Sequence, residues 1–118
     1  MLGVHEGPHR IAMVANTVVL EKGMIASIEP GVYKAGSHGI RIENIVVVQE
    51  DIKTDSGQFM KFEILSFVPI DIEAIDVNLL SEEERSWVNE YHKEVFDKLS
   101  PYLNEEEKAW LREETRSI

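Results

Sequence analysis

The period of the apolar residues changes once along this chain, near Val68-Pro69-Ile70-Asp71, and that change constrains the fold more than any other feature. Up to residue 68 the sequence is rich in Val and Ile and punctuated by Gly and Pro, as strands joined by turns are. Beyond it the chain is acidic, and Trp87, Val88, Tyr91, Val95 and Leu99 recur at helical spacing. Ser81 with Glu84 forms a capping box for that helix, with Glu82 and Glu83 near its positive end. Pro101 ends it or opens a short turn, and Asn104 with Glu107 caps a second, short helix through Trp110 and Leu111. Strands followed by helices predict an α+β fold, with a boundary between residues 1–68 and 69–118.

Within the first part, four strands are expected: Ile11–Leu20, Met24–Glu29, Gly39–Val48 and Phe59–Phe67. Glu21-Lys22-Gly23 makes a turn, and residues 51–58, which contain Asp55-Ser56-Gly57, are expected to form a loop. His9 and His38 fall in turns, and His92 is a structural or solvated helix residue. Trp87 and Trp110 are expected to pack the helices onto the sheet.

Bulk properties exclude several classes of function. The 118 residues suit one compact domain, and a formal net charge of −10 argues against nucleic acid, whose recognition uses basic patches. No apolar run approaches the length of a membrane span. Met1-Leu2-Gly3-Val4-His5 lacks the regions of a signal peptide, and there is no Cys, so a cytoplasmic location is expected.

His5-Glu6-Gly7-Pro8-His9 matches the zinc-protease pattern H-E-x-x-H letter for letter. That chemistry needs both His on one helical face. Pro8 lacks the amide a helix would use and pushes Gly7 out of helical geometry, so the segment is a turn or an extended stretch.

A more productive pair lies downstream. If Met24–Val48 is a hairpin centred on Gly36, Glu29 stands opposite Glu43. Two like charges directly opposed on a sheet repel, so a cation or a shared proton is expected between them. Arg41 projects to the same strand face as Glu43 and can orient a ligating carboxylate. Carboxylates suit Mn, Mg, Ca or Zn alike. The competing possibility is that both acids sit on the rim, or that Pro30-Gly31 breaks the symmetry.

Val4-His5-Glu6-Gly7-Pro8, Gly23-Met24, Glu29-Pro30-Gly31-Val32-Tyr33 and Gly39-Ile40-Arg41-Ile42-Glu43-Asn44 resemble, in order and spacing, the C-terminal part of the Xaa-Pro aminopeptidases. These are the aminopeptidase P members of the pita-bread metallopeptidases. Phe67-Val68-Pro69-Ile70-Asp71 and Asp76-Val77-Asn78-Leu79-Leu80-Ser81 resemble the C-terminal extension of their longer members.

The resemblance implies a partial pita-bread fold, a curved and mostly antiparallel sheet followed by helices. Residues 1–68 would be the C-terminal portion of the catalytic domain and residues 69–118 the helical extension. It implies removal of an N-terminal residue that precedes proline, usually with two Mn ions. Glu29 would ligate metal and handle the proton of the attacking water, and Glu43 would bridge the two ions. His5 would lie beside the scissile bond, and Arg41 would support the ligands.

Two aspartates and a His that complete the family's metal site have no counterpart here. The chain is therefore expected to be the tail of a larger enzyme, inactive alone and holding metal weakly or not at all. Uncovered apolar sheet is expected to drive it into homodimers or larger assemblies. The rival expectation is a non-catalytic interaction module of the same fold. A pita-bread hydrolase of other small molecules is disfavoured by the extension.

Overall fold

The computed structural model describes residues 7–118. The chain divides into two compact units, Met1–Ser66 and Phe67–Ile118.

Among its described residues the first unit holds five strands: β1 (Ile25–Ile28), β2 (Gly31–Lys34), β3 (His38–Arg41), β4 (Asn44–Thr54) and β5 (Gly57–Ile64). They form a three-stranded antiparallel sheet in the order β1-β4-β5 and a two-stranded ribbon, β2-β3. One register runs through both. Partners number to a total of 72 from Ile25 with Val47 to Ile28 with Asn44, and again from Gly31 with Arg41 to Lys34 with His38. The two pieces are thus one hairpin, interrupted between Ile28 and Gly31.

Pro30 accounts for the interruption, because it has no amide to give to a ladder. Its carbonyl still accepts from the Ile42 amide at 3.2 Å, which holds the register across the gap. At the tip, Ser37 N–H donates to the Lys34 carbonyl at 3.0 Å, and Gly36 takes φ +70. A positive φ at the third position of a four-residue turn favours glycine there.

Three expectations change. Gly39–Val48 is two strands, broken at Ile42-Glu43 opposite Pro30. Residues 51–58 are not a loop: β4 and β5 continue to a two-residue turn, with Thr54 paired to Gly57 and a register shift between Glu50 and Lys53. Asp55-Ser56 alone reverses the chain, so the flanking residues are free to pair.

Ile11–Leu20 forms no strand. Its β-propensity finds no partner, and Asn16 organises the segment instead. Asn16 Nδ2 donates to the Pro8 carbonyl at 2.9 Å, and its Oδ1 accepts from the Val18 amide at 3.0 Å.

Val46 and Val48 share one face of β4 and are buried. Many apolar residues of the strands are exposed, among them Val32, Tyr33, Ile40, Ile52, Phe59 and Phe62.

The second unit begins with extended chain and two 3-10 turns, Ile72–Ala74 and Val77–Leu79, capped by Asp71 and Asp76. Helix α1 (Glu82–Leu99) and helix α2 (Glu105–Glu114) follow. Both expected capping boxes form: Glu84 N–H donates to Ser81 Oγ at 3.2 Å and Ser81 N–H to Glu84 Oε2 at 2.8 Å, and Asn104 with Glu107 does likewise. The backbone bond from Ser81 holds the Glu84 carboxyl below its ordinary value.

Ile72, Val88, Tyr91, Val95 and Leu111 are buried in this unit. Trp87 stacks on Tyr91 with ring centroids 5.6 Å apart. Trp87 and Trp110 remain about half exposed, so neither is the buried anchor its size suggests.

His92 is fully buried, which settles its role as structural. Its Nε2 accepts from the Ile70 amide at 3.0 Å, so the ring proton sits on Nδ1. Nδ1 has no hydrogen-bond partner among the described residues, and the Arg116 main chain opposes the lowering only in part. Burial pushes the imidazole below its usual range.

The unfolded chain therefore binds this proton more readily than the folded one. Stability is full above pH ~6.5 and falls as pH drops below that toward the depressed folded value. Urea unfolding followed by circular dichroism should show that acid-side loss, and His92→Gln should flatten it. Ser81→Ala and Asn104→Ala should each lower stability by about 1 kcal/mol in the same assay.

Candidate metal centre

Glu29 and Glu43 fall in the gap between the two ladders, where the shared register sets them opposite each other. The cation between them is Arg41. Its Nη1 donates to Glu29 Oε2 at 3.2 Å, and its Nη2 lies 3.4 Å from Glu43 Oε2. One guanidinium thus ties both carboxylates together on one side of the strands. Its planar fork can do this where a lysine ammonium would serve one partner at a time.

Ser27 Oγ donates to Glu29 Oε1 at 2.7 Å, so both oxygens of Glu29 are aimed. Ser27 and Glu29 share a strand face by the two-residue period, a signal available in the sequence and not used there.

These groups line a cavity of about 880 Å³, together with His9, Arg10 and Asn16. His9 is no free turn residue: its Nε2 lies 2.7 Å from the Ile25 carbonyl and fixes the loop that walls the cavity. His38 lies outside the turn: it opens β3 opposite Lys34, exposed, with Nδ1 2.8 Å from Ser37 Oγ.

His5 and Glu6, the start of the H-E-x-x-H match, lie outside the described residues. From Gly7 onward the segment is not helical, and Gly7 takes φ +102.

The donor set fits part of a metal site. A carboxylate oxygen carries two lone pairs, so Glu29 and Glu43 can each accept a hard cation while holding Arg41. Among the described residues no group of three or more His, Cys, Asp and Glu gathers to complete it.

Residues 58–118 match the model of the C-terminal region of peptidase M24, and residues 1–50 match the model of metallopeptidase family M24. The chain belongs to that family.

It is 44% identical to a probable Xaa-Pro aminopeptidase P of Coprinopsis cinerea, over 99% of this chain and 20% of the relative. It is 40% identical to Xaa-Pro aminopeptidase 2 of Homo sapiens, over 99% of this chain and 18% of the relative. The crystal structure of an X-prolyl aminopeptidase from Caenorhabditis elegans, described as a cytosolic enzyme with a di-nuclear active site, superposes with a TM-score of 0.82 at 36% identity. That match covers 99% of this chain and 20% of the worm enzyme. The chain spans about a fifth of the length of these relatives, and it shares their pita-bread sheet and C-terminal helices.

The ion pairs of Arg41 are partly exposed, with Glu29 31% and Glu43 41% accessible. Pairs of this kind contribute about 1 kcal/mol or less. Arg41→Lys should therefore leave the unfolding midpoint nearly unchanged while loosening the two carboxylates. A crystal structure of that variant should show the acids no longer joined by one side chain.

Proposed function

We propose that this chain supplies the carboxylate half of the binuclear centre of an Xaa-Pro aminopeptidase, an enzyme that removes an N-terminal residue preceding proline. The observation that carries the proposal is the meeting of Glu29 and Glu43 through Arg41 in one cavity. Supporting it are the likeness to Xaa-Pro aminopeptidases and the di-nuclear active site of the worm enzyme. Residues 1–68 are the C-terminal portion of the catalytic domain, and residues 69–118 are its helical extension.

Glu29 and Glu43 would hold two divalent ions, which we assign as Mn. When bound, the ions supply Lewis-acid polarisation of the scissile carbonyl and a nucleophile at neutral pH. Glu29 takes the proton of the attacking water, and the Ser27 hydroxyl keeps its carboxylate aimed during that transfer. Glu43 would ligate the same ions. Arg41 holds both acids in register, and His5 binds the peptide or passes a proton beside the scissile bond.

The remaining ligands come from polypeptide outside this chain. The chain alone is accordingly inactive and binds metal weakly. Its exposed apolar strands are covered by that further polypeptide or by a second copy. Peptides with proline in second position are the substrates, and the cytoplasm is the compartment. Among the described residues no helix is long and apolar enough to cross a membrane.

The same exposed strands favour a second possibility, a non-catalytic interaction module of this fold. One experiment separates the two. The full-length protein carrying this chain, supplied with Mn, should cleave an Xaa-Pro peptide, and Glu29→Gln or Glu43→Gln should lower kcat by at least about a hundredfold, the range seen when positioned acid–base groups are lost. Calorimetric titration should show both variants losing Mn affinity, whereas Asp51→Asn should not. Full-length protein that neither binds Mn nor cleaves any such peptide would establish the interaction module instead.

A further inference from the structure

Arg10 lines the same cavity as Glu29, Glu43 and Arg41. The chain has five arginines. Arg41 pairs with Glu29 and Glu43, and Arg116 with Glu73 and Glu113. Arg85 donates to the Val77 carbonyl, and Arg112 lies over the Phe96 ring at 5.2 Å. Arg10 alone has no hydrogen bond, ion pair or ring contact among the described residues, in a chain with 22 acidic and 12 basic side chains. Among the described residues the Arg10 guanidinium takes none of the chain's many carboxylates, although Arg10 lines the cavity that holds Glu29 and Glu43.

The loop that carries it is fixed on either side. His9 lies on the Ile25 carbonyl, and Asn16 donates to the Pro8 carbonyl. Arg10 is thus presented by an anchored backbone with its charge unspent. The other cavity cation, Arg41, is neutralised by the two acids.

We propose that Arg10 is a specificity-determining residue that binds a carboxylate of the peptide held in this cavity. A guanidinium presents a planar pair of donors that matches a carboxylate in bidentate geometry. The carboxylate has two possible sources, the C-terminus of a short peptide or an acidic side chain downstream of the proline. The inference rests on the peptidase function proposed above and adds to it a substrate class: peptides with a negative charge just beyond the cleaved bond.

The test uses the full-length enzyme as wild type, Arg10→Ala and Arg10→Lys. Arg10 is exposed, so neither change should disturb folding. Four Mn-supported substrates are compared: Ala-Pro-Ala as the free acid and as its amide, and Ala-Pro-Glu and Ala-Pro-Gln, both as amides. In Arg10→Ala, KM should rise about tenfold more for one charged peptide than for its neutral mate, with kcat less affected. Loss confined to the free acid identifies the C-terminus, and loss confined to the Glu peptide identifies the side chain.

Arg10→Lys should recover part of the difference, since the charge remains and the fork is gone. Titration calorimetry with the product Pro-Ala, as acid and as amide, should give the same ratio without turnover. Equal effects on charged and neutral peptides, or none, would overturn the inference and leave the peptidase function standing. Wild-type enzyme that cleaves none of the four would overturn both.

Discussion

One register, centred on the Gly36 turn and interrupted at Pro30, governs the first unit. It pairs β1 with β4 and β2 with β3 at the same offset, so the residues in the gap are opposed although no ladder joins them. Those residues include Glu29 and Glu43. A continuous sheet would press two like charges together, and an irregular connection would let them drift apart. Pro30 removes the ladder bond at that place while its carbonyl keeps Ile42 in step.

This constraint leaves a pair of acids joined by Arg41 and facing a cavity. The arrangement adds little stability, because partly exposed ion pairs are weak. Local rules are usually obeyed where stability is the only demand, and a broken rule marks a site of function. Opposed carboxylates beside Ile28 and Ile42 break such a rule, and the proposed metal-binding role would account for the departure in a chain of a metallopeptidase family. The helical unit shows the contrast: both helices start with reciprocal capping boxes, and its buried imidazole, pushed below its usual range by burial, accepts from the Ile70 amide.

Both capped helices were legible from Ser81, Glu84, Asn104 and Glu107, because capping is local chemistry over four residues. The opposition of Glu29 and Glu43 was legible because antiparallel pairing fixes a constant index sum once the turn is known. Ile11–Leu20 was not: strand propensity describes a residue's fit to a sheet and does not supply the neighbouring strand. The turn at Asp55-Ser56 was overextended into a loop, since breaker residues mark a reversal without giving its length. Arg10 and His9 carried no signal, as their importance lies in which carbonyl or cavity the folded loop brings near.

By itself the sequence determined the local elements, the position of the Gly36 turn, and through it the facing of residues 29 and 43, all of which depend on near neighbours or on a two-residue period. Only the tertiary structure decided that Arg41 reaches both acids at once and that Ser27 aims one of them. It also decided that Arg10, without a partner among the described residues, shares their cavity. Those facts depend on side-chain direction and on contacts between distant segments, which no spacing along the chain encodes.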